Sequence, residues 1–279
     1  MNKQPIGIFD SGYGGLTVLK EITALLPQYD YLYLGDNSRA PYGNKSYATV
    51  YEYTLEAVKW FFAKGCPLVI LACNTASAKA LRTIQQNDLP KIAPQKRVLG
   101  VIRPTAEVIG KYTQTGHVGV MGTTGTVESG SYILEIQKFF PQLSVTQEAC
   151  PLWVPIIENN EQHSPEAGAI IEKNVKNLWE KDGNIDVILL ACTHYPLIAS
   201  QILKYTPQNV QLISQGKIVA ESLQYYLQRQ PQIEQQCSKN QNLEFYTTGD
   251  VKDFDSHAST FYGQAVEAGY TNLFPTNIK

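Results

Sequence analysis

Short apolar runs alternate with longer stretches of mixed polarity along most of the chain. The runs are mostly four or five residues long, which is strand length, and they are largely apolar throughout rather than at every second position. Continuous apolar runs are typical of parallel strands that are covered on both faces. The predicted strands are Ile6–Phe9, Tyr31–Leu34, Leu68–Ala72, Val98–Val101, Val118–Met121, Val187–Ala191 and Val210–Ile213.

The stretches between these runs have the periodicity of helices. A long helix is predicted over Tyr47–Lys64, where Gly65 follows as a helix-ending glycine, and a shorter helix is predicted over Leu16–Leu26. Two segments rich in Pro and Gln, Gln85–Gln95 and Gln228–Gln241, are interpreted as surface loops. Strands that alternate with helices in this way predict an α/β fold.

Two pairs of segments resemble each other and occur in the same order. Ile6–Gly12 resembles Val118–Thr124, and Val69–Cys73 resembles Ile188–Cys192. In each pair an apolar strand ends at small polar residues. Chance similarity between short strands is the alternative, but the matched order makes it weaker. We infer an internal duplication that gives two similar α/β lobes, each presenting one cysteine.

Composition excludes several classes of protein. The chain has 279 residues, of which 43% are apolar and 17% charged, so it can bury a sizeable core in one large domain or two small ones. A net charge of -2 and a pI near 6.1 give no broad attraction for nucleic acid or an anionic membrane. We find neither an apolar run of about 20 residues nor a secretory signal pattern. The sequence therefore predicts a soluble cytoplasmic protein without nucleic-acid or membrane partners.

The cysteines point to chemistry rather than to a structural framework. There are five, widely spaced and without a C-x-x-C pair, which argues against disulfides and a zinc site. Cys73 and Cys192 each end an apolar strand, where ligands bind in open α/β sheets. We expect a helix to begin after each cysteine, and a helix N-terminus favours a thiolate. A buried structural cysteine is the alternative for either one alone.

Other candidate residues follow strands or lie near a cysteine in sequence. Asp10–Gly15 is a glycine-rich turn whose N–H groups can approach a small anion such as a carboxylate, with an ordinary turn as the alternative. It is neither G-x-G-x-x-G nor a P-loop, so no nucleotide site is predicted. His194, two residues after Cys192, is a candidate acid/base group. Taken alone, Glu158 would be a surface charge and Pro41–Gly43 a turn.

Together these motifs resemble the bacterial glutamate racemases of the aspartate/glutamate racemase superfamily. The two cysteine motifs are the most specific, and the matches follow the family's order over nearly the whole chain. The matching segments are Phe9–Leu16, Leu34–Asp36, Pro41–Gly43, Ala72–Ala76, Ala149–Pro155 with Glu158, Ala191–Leu197 and, more weakly, Phe245–Asp250.

The resemblance implies two pseudo-symmetric α/β lobes with largely parallel sheets flanked by helices and an active site in the cleft between them. The first lobe would comprise residues 1–98 and 212–279 with Cys73, and the second residues 99–211 with Cys192. Glutamate would be the substrate, with no cofactor and no metal, and its D-isomer would supply peptidoglycan synthesis. The resemblance also implies a homodimer, and activation by a cell-wall precursor as in some members.

The resemblance also implies roles for individual residues. Cys73 and Cys192 would transfer protons, from D-glutamate and L-glutamate respectively, tuned by Asp10, Glu158 and His194. Two such groups on opposite faces of the α-carbon let one remove a proton while the other returns one. The implied substrate contacts are Asp10, Ser11, Tyr42, Gly43, Asn74, Thr75, Thr193 and His194.

Three other functions fit parts of the sequence. An aspartate racemase would differ by one methylene in the depth of its pocket. A two-lobed amino-acid binding protein would use the cleft for recognition and would not need a thiol in each lobe. A Cys/His hydrolase with Cys192 as nucleophile and His194 as base would leave Cys73 unexplained.

Overall fold

The strands of the protein form two sheets, and both are parallel throughout. The computed structural model describes residues 4–273, within which ten strands form a six-stranded and a four-stranded sheet. Every strand pair in them is parallel. The strands are β1 (Ile6–Asp10), β2 (Tyr31–Gly35), β3 (Leu68–Leu71), β4 (Arg97–Gly100), β5 (His117–Gly122), β6 (Ser144–Ala149), β7 (Val187–Ala191), β8 (Gln211–Ile213), β9 (Leu243–Thr247) and β10 (Ala268–Tyr270). The predicted α/β fold is confirmed.

Helices connect the strands and flank the sheets. They are α1 (Leu16–Leu25), α2 (Tyr47–Ala63), α3 (Asn74–Lys79), α4 (Leu81–Thr83), α5 (Leu89–Ile92), α6 (Ile102–Ala106), α7 (Thr124–Glu128), α8 (Ser131–Phe139), α9 (Trp153–Glu158), α10 (Pro165–Lys181), α11 (Ala199–Lys204), α12 (Gly216–Arg229), α13 (Pro231–Glu234) and α14 (Val251–Tyr262). Within residues 4–273, none of the helices has the length and apolar character needed to cross a membrane.

The predicted long helix forms with the expected boundaries. Ser46 caps the start of α2, since its Oγ accepts the Thr49 N–H at 3.1 Å. The helix ends at Ala63, and Gly65 follows with a φ of +92°, a conformation that glycine adopts without steric strain. Local sequence signals are therefore sufficient to define this element.

Strand β1 lies inside the larger sheet and is covered on both faces. Ile8 packs in a cluster with Leu19 of α1 and with residues of α12 and α14, whereas Phe9 packs on the opposite face with Val58 and Phe61 of α2. Because both faces are covered, apolar side chains are favoured at every position of the strand. This burial explains the continuous apolar runs of the sequence.

The same strand order occurs in both sheets. The larger sheet has the order β10-β9-β2-β1-β3-β4 and the smaller sheet β6-β5-β7-β8. The unit β2-β1-β3-β4 therefore matches β6-β5-β7-β8, so β1 corresponds to β5 and β3 to β7. These are the segments that resemble each other in sequence, as an internal duplication predicts. Strands β9 and β10 extend the first sheet beyond the shared unit.

The chain passes between the sheets twice. It leaves the first sheet after β4 and returns after β8 through α12, which packs against α1. Strand β9 then pairs with β2, so the C-terminal segment adds to the first sheet. The sequence predicts one lobe at 1–98 with 212–279 and a second lobe at 99–211. These limits lie near the two passages, and they stay a prediction.

Three strands and two helical segments were not predicted. Strands β6 and β10 form sheet edges and β9 is only partly buried, so none has a continuous apolar run. The loop predicted at Gln85–Gln95 is wrong, and the loop predicted at Gln228–Gln241 is correct only after α13 ends at Glu234. The first contains a π-helical turn and α5, and the second contains the end of α12 and α13. Buried Leu89 and Ile233 anchor these segments to the core.

Candidate active site

A cavity opens where segments that follow the carboxyl ends of strands in the two sheets meet. Its walls follow β1, β2 and β3 of the first sheet and β5, β6 and β7 of the second. The lining residues are Ser11, Gly12, Ala40, Pro41, Tyr42, Gly43, Asn44, Cys73, Asn74, Thr75, Thr123, Pro151, Val154, Pro155, Glu158, Cys192, Thr193 and His194. Apart from Asp10, each site residue expected from the sequence lines this cavity.

Cys73 and Cys192 occupy equivalent places in the two sheets. Cys73 follows β3 by two residues, and Cys192 directly follows β7, its counterpart in the second sheet. Each side chain is buried to the same extent, with 6% of the residue exposed, and both line the cavity. The structure therefore brings one thiol from each sheet to a single cavity.

Cys73 lies in an apolar environment at the start of α3. Its Sγ accepts the Ala76 N–H at 3.4 Å, and its thiol donates to Ser11 Oγ at 3.6 Å. Burial and then the charge of Asp10 raise the pKa of the Cys73 thiol to about 12, although the Ala76 N–H opposes this shift. Burial therefore outweighs the helix N-terminus at Cys73, and the thiol form is favoured near pH 7 instead of the expected thiolate.

Cys192 lies beside a charged pair. Its Sγ is 3.9 Å from His194 Nδ1, and His194 Nε2 is 2.8 Å from Glu158 Oε1. Burial lowers the pKa of His194, but the hydrogen bonds to Cys192 and Glu158 outweigh it and raise the pKa to about 10. His194 is therefore an imidazolium at neutral pH, between a sulfur atom and a carboxylate.

The segment after Cys192 differs from the predicted helix start. A 3₁₀ turn at Tyr195–Ile198 comes first, and α11 begins only at Ala199. Pro196 contributes to this change, because proline lacks the N–H that a helix interior requires. The prediction of a helix directly after each cysteine is correct for Cys73 and wrong for Cys192.

Asp10 lies behind the cavity wall rather than in it. The residue is 1% exposed, its Oδ1 accepts the Gly12 N–H at 2.9 Å, and its Oδ2 accepts from Thr193 Oγ1 at 3.4 Å. Burial raises the pKa of Asp10, and the positive charge of His194 opposes that shift. Asp10 thus connects the turn after β1 to the Cys192 side, while its charge also acts on Cys73.

The glycine-rich turn after β1 packs tightly against the Cys192 side. A Cβ on Gly14 would lie 2.2 Å from Thr193 Oγ1 and 2.4 Å from His194 Nδ1, closer than non-bonded atoms approach. Thr17 adds a hydrogen bond from its Oγ1 to the Thr193 carbonyl at 2.9 Å. The lack of a side chain at Gly14 therefore allows the first sheet to contact the residues next to Cys192.

The loop after β2 contributes Tyr42 and Gly43. The Tyr42 hydroxyl donates to buried Asp36, which also binds Arg39 Nε at 2.7 Å, so this hydroxyl points away from the cavity. The Gly43 carbonyl accepts the Gly125 N–H at 2.8 Å, which links the loop to α7 beside the second sheet. The loop is therefore held from both sides.

Neutral polar side chains share the rest of the lining with small apolar residues. Thr75 Oγ1 lies 3.0 Å from Thr123 Oγ1, so hydroxyl groups from the two sheets meet. The lining set, as far as the structure describes the chain, contains no Lys or Arg, and its charged groups are Glu158 and His194. Sequence reasoning missed Thr123, although the internal repeat aligns it with Ser11. That alignment was the signal that could have identified it.

Comparisons with known proteins agree over the length of the chain. The family model described as Asp/Glu/Hydantoin racemase matches residues 11–223. A glutamate racemase of Streptococcus equi subsp. equi is 36% identical over 98% of this chain and 100% of that protein. Among solved structures, glutamate racemase isoform RacE1 of Bacillus anthracis has a TM-score of 0.88 and 33% identity, covering 98% of this chain and 99% of that one. Glutamate racemase of Francisella tularensis, solved with D-glutamate, has a TM-score of 0.86 and 31% identity, with coverage of 98% and 99%.

Proposed function

The chain belongs to the aspartate/glutamate racemase family, and from this premise we propose that it interconverts L- and D-glutamate without a cofactor, using Cys73 and Cys192 as acid/base groups. Similarity over the whole chain is to glutamate racemases, so the enzyme is an amino-acid racemase. The observation that carries the mechanism is one cavity with two thiols, each from the end of an equivalent strand.

The two thiols start the reaction in different protonation states. Cys73 keeps its proton because its pKa is raised to about 12. We assign the role of base towards L-glutamate to Cys192, whose Sγ lies 3.9 Å from Nδ1 of His194. With L-glutamate bound, the Cys192 thiolate removes the α-proton, and the Cys73 thiol gives its proton to the opposite face of the α-carbon. D-glutamate, a Cys192 thiol and a Cys73 thiolate result.

The reverse reaction uses the swapped form of the enzyme. The Cys73 thiolate takes the α-proton of D-glutamate, and the Cys192 thiol returns a proton to the other face. Burial and the charge of Asp10 disfavour the Cys73 thiolate. After the product has left, Cys73 takes a proton from solvent and Cys192 gives one up to solvent, and together these two transfers restore the form that accepts L-glutamate.

The lining groups are suited to stabilise the charge that develops when the α-proton leaves. That charge spreads onto the α-carboxylate, and preorganised donors in a dry site stabilise it more than water does. The Thr75 and Thr193 hydroxyls and the Asn74 amide line the same cavity as the thiols. We assign the substrate contacts to Ser11, Tyr42, Gly43, Asn74, Thr75, Thr193 and His194, and place Asp10 behind them.

Circular dichroism of L-glutamate incubated with the purified, cofactor-free protein tests the proposed reaction. The signal should decay to zero as a racemic mixture forms, and D-glutamate should give the mirror-image decay. Incubation in D₂O should place deuterium at the α-carbon, which a protein that only binds amino acids does not do. A stable signal with both isomers would overturn the proposal, and faster decay of L-aspartate would identify an aspartate racemase instead.

The need for Cys73 distinguishes the proposed racemase from a Cys/His hydrolase. A hydrolase that uses Cys192 and His194 would form an acyl-enzyme, which can be trapped, and it would not need the second thiol. The cavity favours the racemase, because Cys73 is buried in the same lining as Cys192 and contributes nothing to a Cys/His pair.

The biological role that fits this reaction is the supply of D-glutamate for peptidoglycan synthesis in the cytoplasm. Reactive thiols such as Cys73 and Cys192 persist in a reducing compartment. Depletion of the enzyme should make its host require external D-glutamate, unless a D-amino-acid transaminase supplies it. Normal growth after deletion, in a host shown to lack any other source, would overturn this role. A homodimer and activation by a cell-wall precursor are further proposals from family membership.

A further inference from the structure

A buried chain of hydrogen bonds joins the Cys73 side of the cavity to both passages between the sheets. Asn74, next to Cys73, bonds to Gln215, which follows β8 at the start of α12. Gln215 in turn contacts the Val101 carbonyl and Thr105, which follow β4. Asn74 and Gln215 are only 3% and 4% exposed, so these bonds are shielded from water.

One backbone carbonyl fixes the direction of these hydrogen bonds. Val101 O can only accept, so the Gln215 Nε2 group must face it, at 3.2 Å. The Gln215 Oε1 atom therefore faces Asn74 and accepts from its Nδ2 at 2.7 Å. Asn74 Oδ1 then accepts from the hydroxyl of buried Tyr132, on α8, at 2.5 Å. The polarity of the Asn74 amide follows from these contacts alone.

This arrangement leaves Asn74 with one uncommitted N–H. An amide nitrogen carries two hydrogens, and Gln215 takes one of them. Asn74 lines the cavity, whereas Gln215 and Tyr132 do not. A flipped Asn74 amide would place its oxygen against Gln215 Oε1 with no hydrogen between them, which is costly in a buried site. The amide is therefore held as a donor, which suits a carboxylate and not an ammonium group.

We propose that Gln215 and Tyr132 are positioning residues that orient the Asn74 amide towards a substrate carboxylate. The proposal rests on the racemase function and adds two residues that do not line the cavity. Gln215 Nε2 also lies 2.6 Å from the Tyr132 hydroxyl and 3.0 Å from Thr105 Oγ1, and its two hydrogens are shared among these oxygens and the Val101 carbonyl, so the orientation depends on contacts with both passages between the sheets. The placement of the two sheets thereby determines how Asn74 meets the substrate.

The test compares near-isosteric variants with matched controls. Gln215→Met removes the acceptor for Asn74, and we expect kcat/KM for glutamate to fall about 10- to 100-fold, as loss of a buried hydrogen bond predicts. Its control is Gln201→Met, since Gln201 is also buried but bonds to His163, at 3.0 Å, outside the cavity lining. Gln201→Met should keep the kcat/KM of the wild-type enzyme.

A second pair removes a single oxygen atom. Tyr132→Phe deletes the donor to Asn74 Oδ1, whereas Tyr31→Phe deletes a buried hydroxyl that bonds to the Leu26 carbonyl at 2.7 Å. We expect a several-fold loss of kcat/KM for Tyr132→Phe and none for Tyr31→Phe. This pair keeps the inference testable if Gln215→Met does not fold, which thermal unfolding of each variant would reveal.

A double-mutant cycle separates positioning from a purely structural role. If Gln215 acts through Asn74, Gln215→Met should cost little kcat/KM in an Asn74→Ala background, because the oriented amide is already absent. Equal losses in both backgrounds, or a loss no larger than that of Gln201→Met, would overturn this inference and leave the racemase function intact. A wild-type protein that does not racemise glutamate would overturn both proposals.

Discussion

Cys73 and Cys192 hold equivalent positions in two sheets of the same strand order, yet their surroundings differ. Cys73 contacts a hydroxyl and a helix N–H, and burial with the charge of Asp10 raises its thiol pKa to about 12. Cys192 lies beside the imidazolium of His194, which is itself paired with Glu158. The fold repeats the position of the thiol, and the neighbours that tertiary packing brings to each cysteine make the electrostatics unequal.

This inequality suits a reaction that needs one acid and one base at the same time. Two thiols in identical surroundings would have equal affinity for a proton, so neither would be preferred as the base. Unequal surroundings favour the state with one thiol and one thiolate. In the proposed mechanism, the repeated fold supplies the two opposed thiols, and Asp10, His194 and Glu158 determine which of them carries the proton.

The largest effect is expected when either thiol is replaced. Serine is a far weaker acid than cysteine, so Cys73→Ser and Cys192→Ser should each lower kcat by about 10²- to 10⁴-fold. Cys237→Ser is the matched control, since Cys237 is buried, bonds to the Ile233 carbonyl and lies outside the cavity lining. Circular dichroism with each glutamate isomer measures the rates, and a near-normal rate in a folded Cys73 or Cys192 variant would contradict the two-thiol mechanism.

Replacing the charged residues near the two cysteines should affect the two directions of the reaction differently. His194→Asn removes the cation beside Cys192 and should reduce mainly kcat from L-glutamate, by about tenfold or more. Asp10→Asn should reduce mainly kcat from D-glutamate, because the charge of Asp10 raises the pKa of Cys73 and makes its thiolate a stronger base. The effect should be less selective, because Asp10 also bonds to Thr193 on the other side. The equilibrium fixes the ratio of the two kcat/KM values, so the asymmetry must appear in kcat. Equal changes in both directions for His194→Asn would contradict this difference.

The sequence predicted the centres of the sheets better than their edges. β1, β3, β5 and β7 have continuous apolar runs because both faces are covered, and these runs were found. β6 and β10 lie at edges, where polar side chains remain exposed, and they carry no such signal. The helical segment around Leu89 was missed because a few buried side chains, rather than a periodic pattern, hold it in place.

The sequence also placed the candidate residues in one cavity but could not give their charges. The motif around Cys73 predicts a strand end and a helix start, and both are present. The raised pKa of Cys73 follows from burial and from Asp10, which depend on tertiary packing. Likewise, the distance between His194 and Glu158, which are 36 residues apart, cannot be read from either motif.

Adding a methyl group at Gly14 should disturb the residues beside Cys192 more than those beside Cys73. Its Cβ would overlap Thr193 Oγ1 and His194 Nδ1, so Gly14→Ala should lower the free energy of unfolding by about 1–3 kcal/mol, as overpacking does. It should also lower kcat from L-glutamate more than from D-glutamate. Gly183→Ala is the control, since no atom lies within 4 Å of its added Cβ. Urea denaturation and the two kcat values measure these effects, and a Gly14→Ala protein as stable and active as Gly183→Ala would contradict the close packing.

A further difference is expected in the pH range over which each side stabilises the fold. The folded pKa of His194, about 10, lies above its ordinary 6.5, so the native state binds this proton more tightly than the unfolded chain does. The resulting stabilisation is complete below about pH 6.5 and is lost as pH rises through 10. For Cys73 the same reasoning applies between its ordinary 9.0 and about 12. The stabilisation from His194 should therefore be lost at lower pH than the stabilisation from Cys73.

Urea denaturation from pH 6 to pH 12 measures these ranges. The difference in unfolding free energy between wild type and His194→Asn should shrink between about pH 6.5 and 10, with little further change above that. The difference between wild type and Cys73→Ser should stay constant up to about pH 9 and then shrink. Groups elsewhere titrate in both members of each pair, so their effects cancel. If both differences change over the same pH range, His194 and Cys73 do not differ in charge near neutral pH, and the proposed division between a neutral and a charged side is wrong.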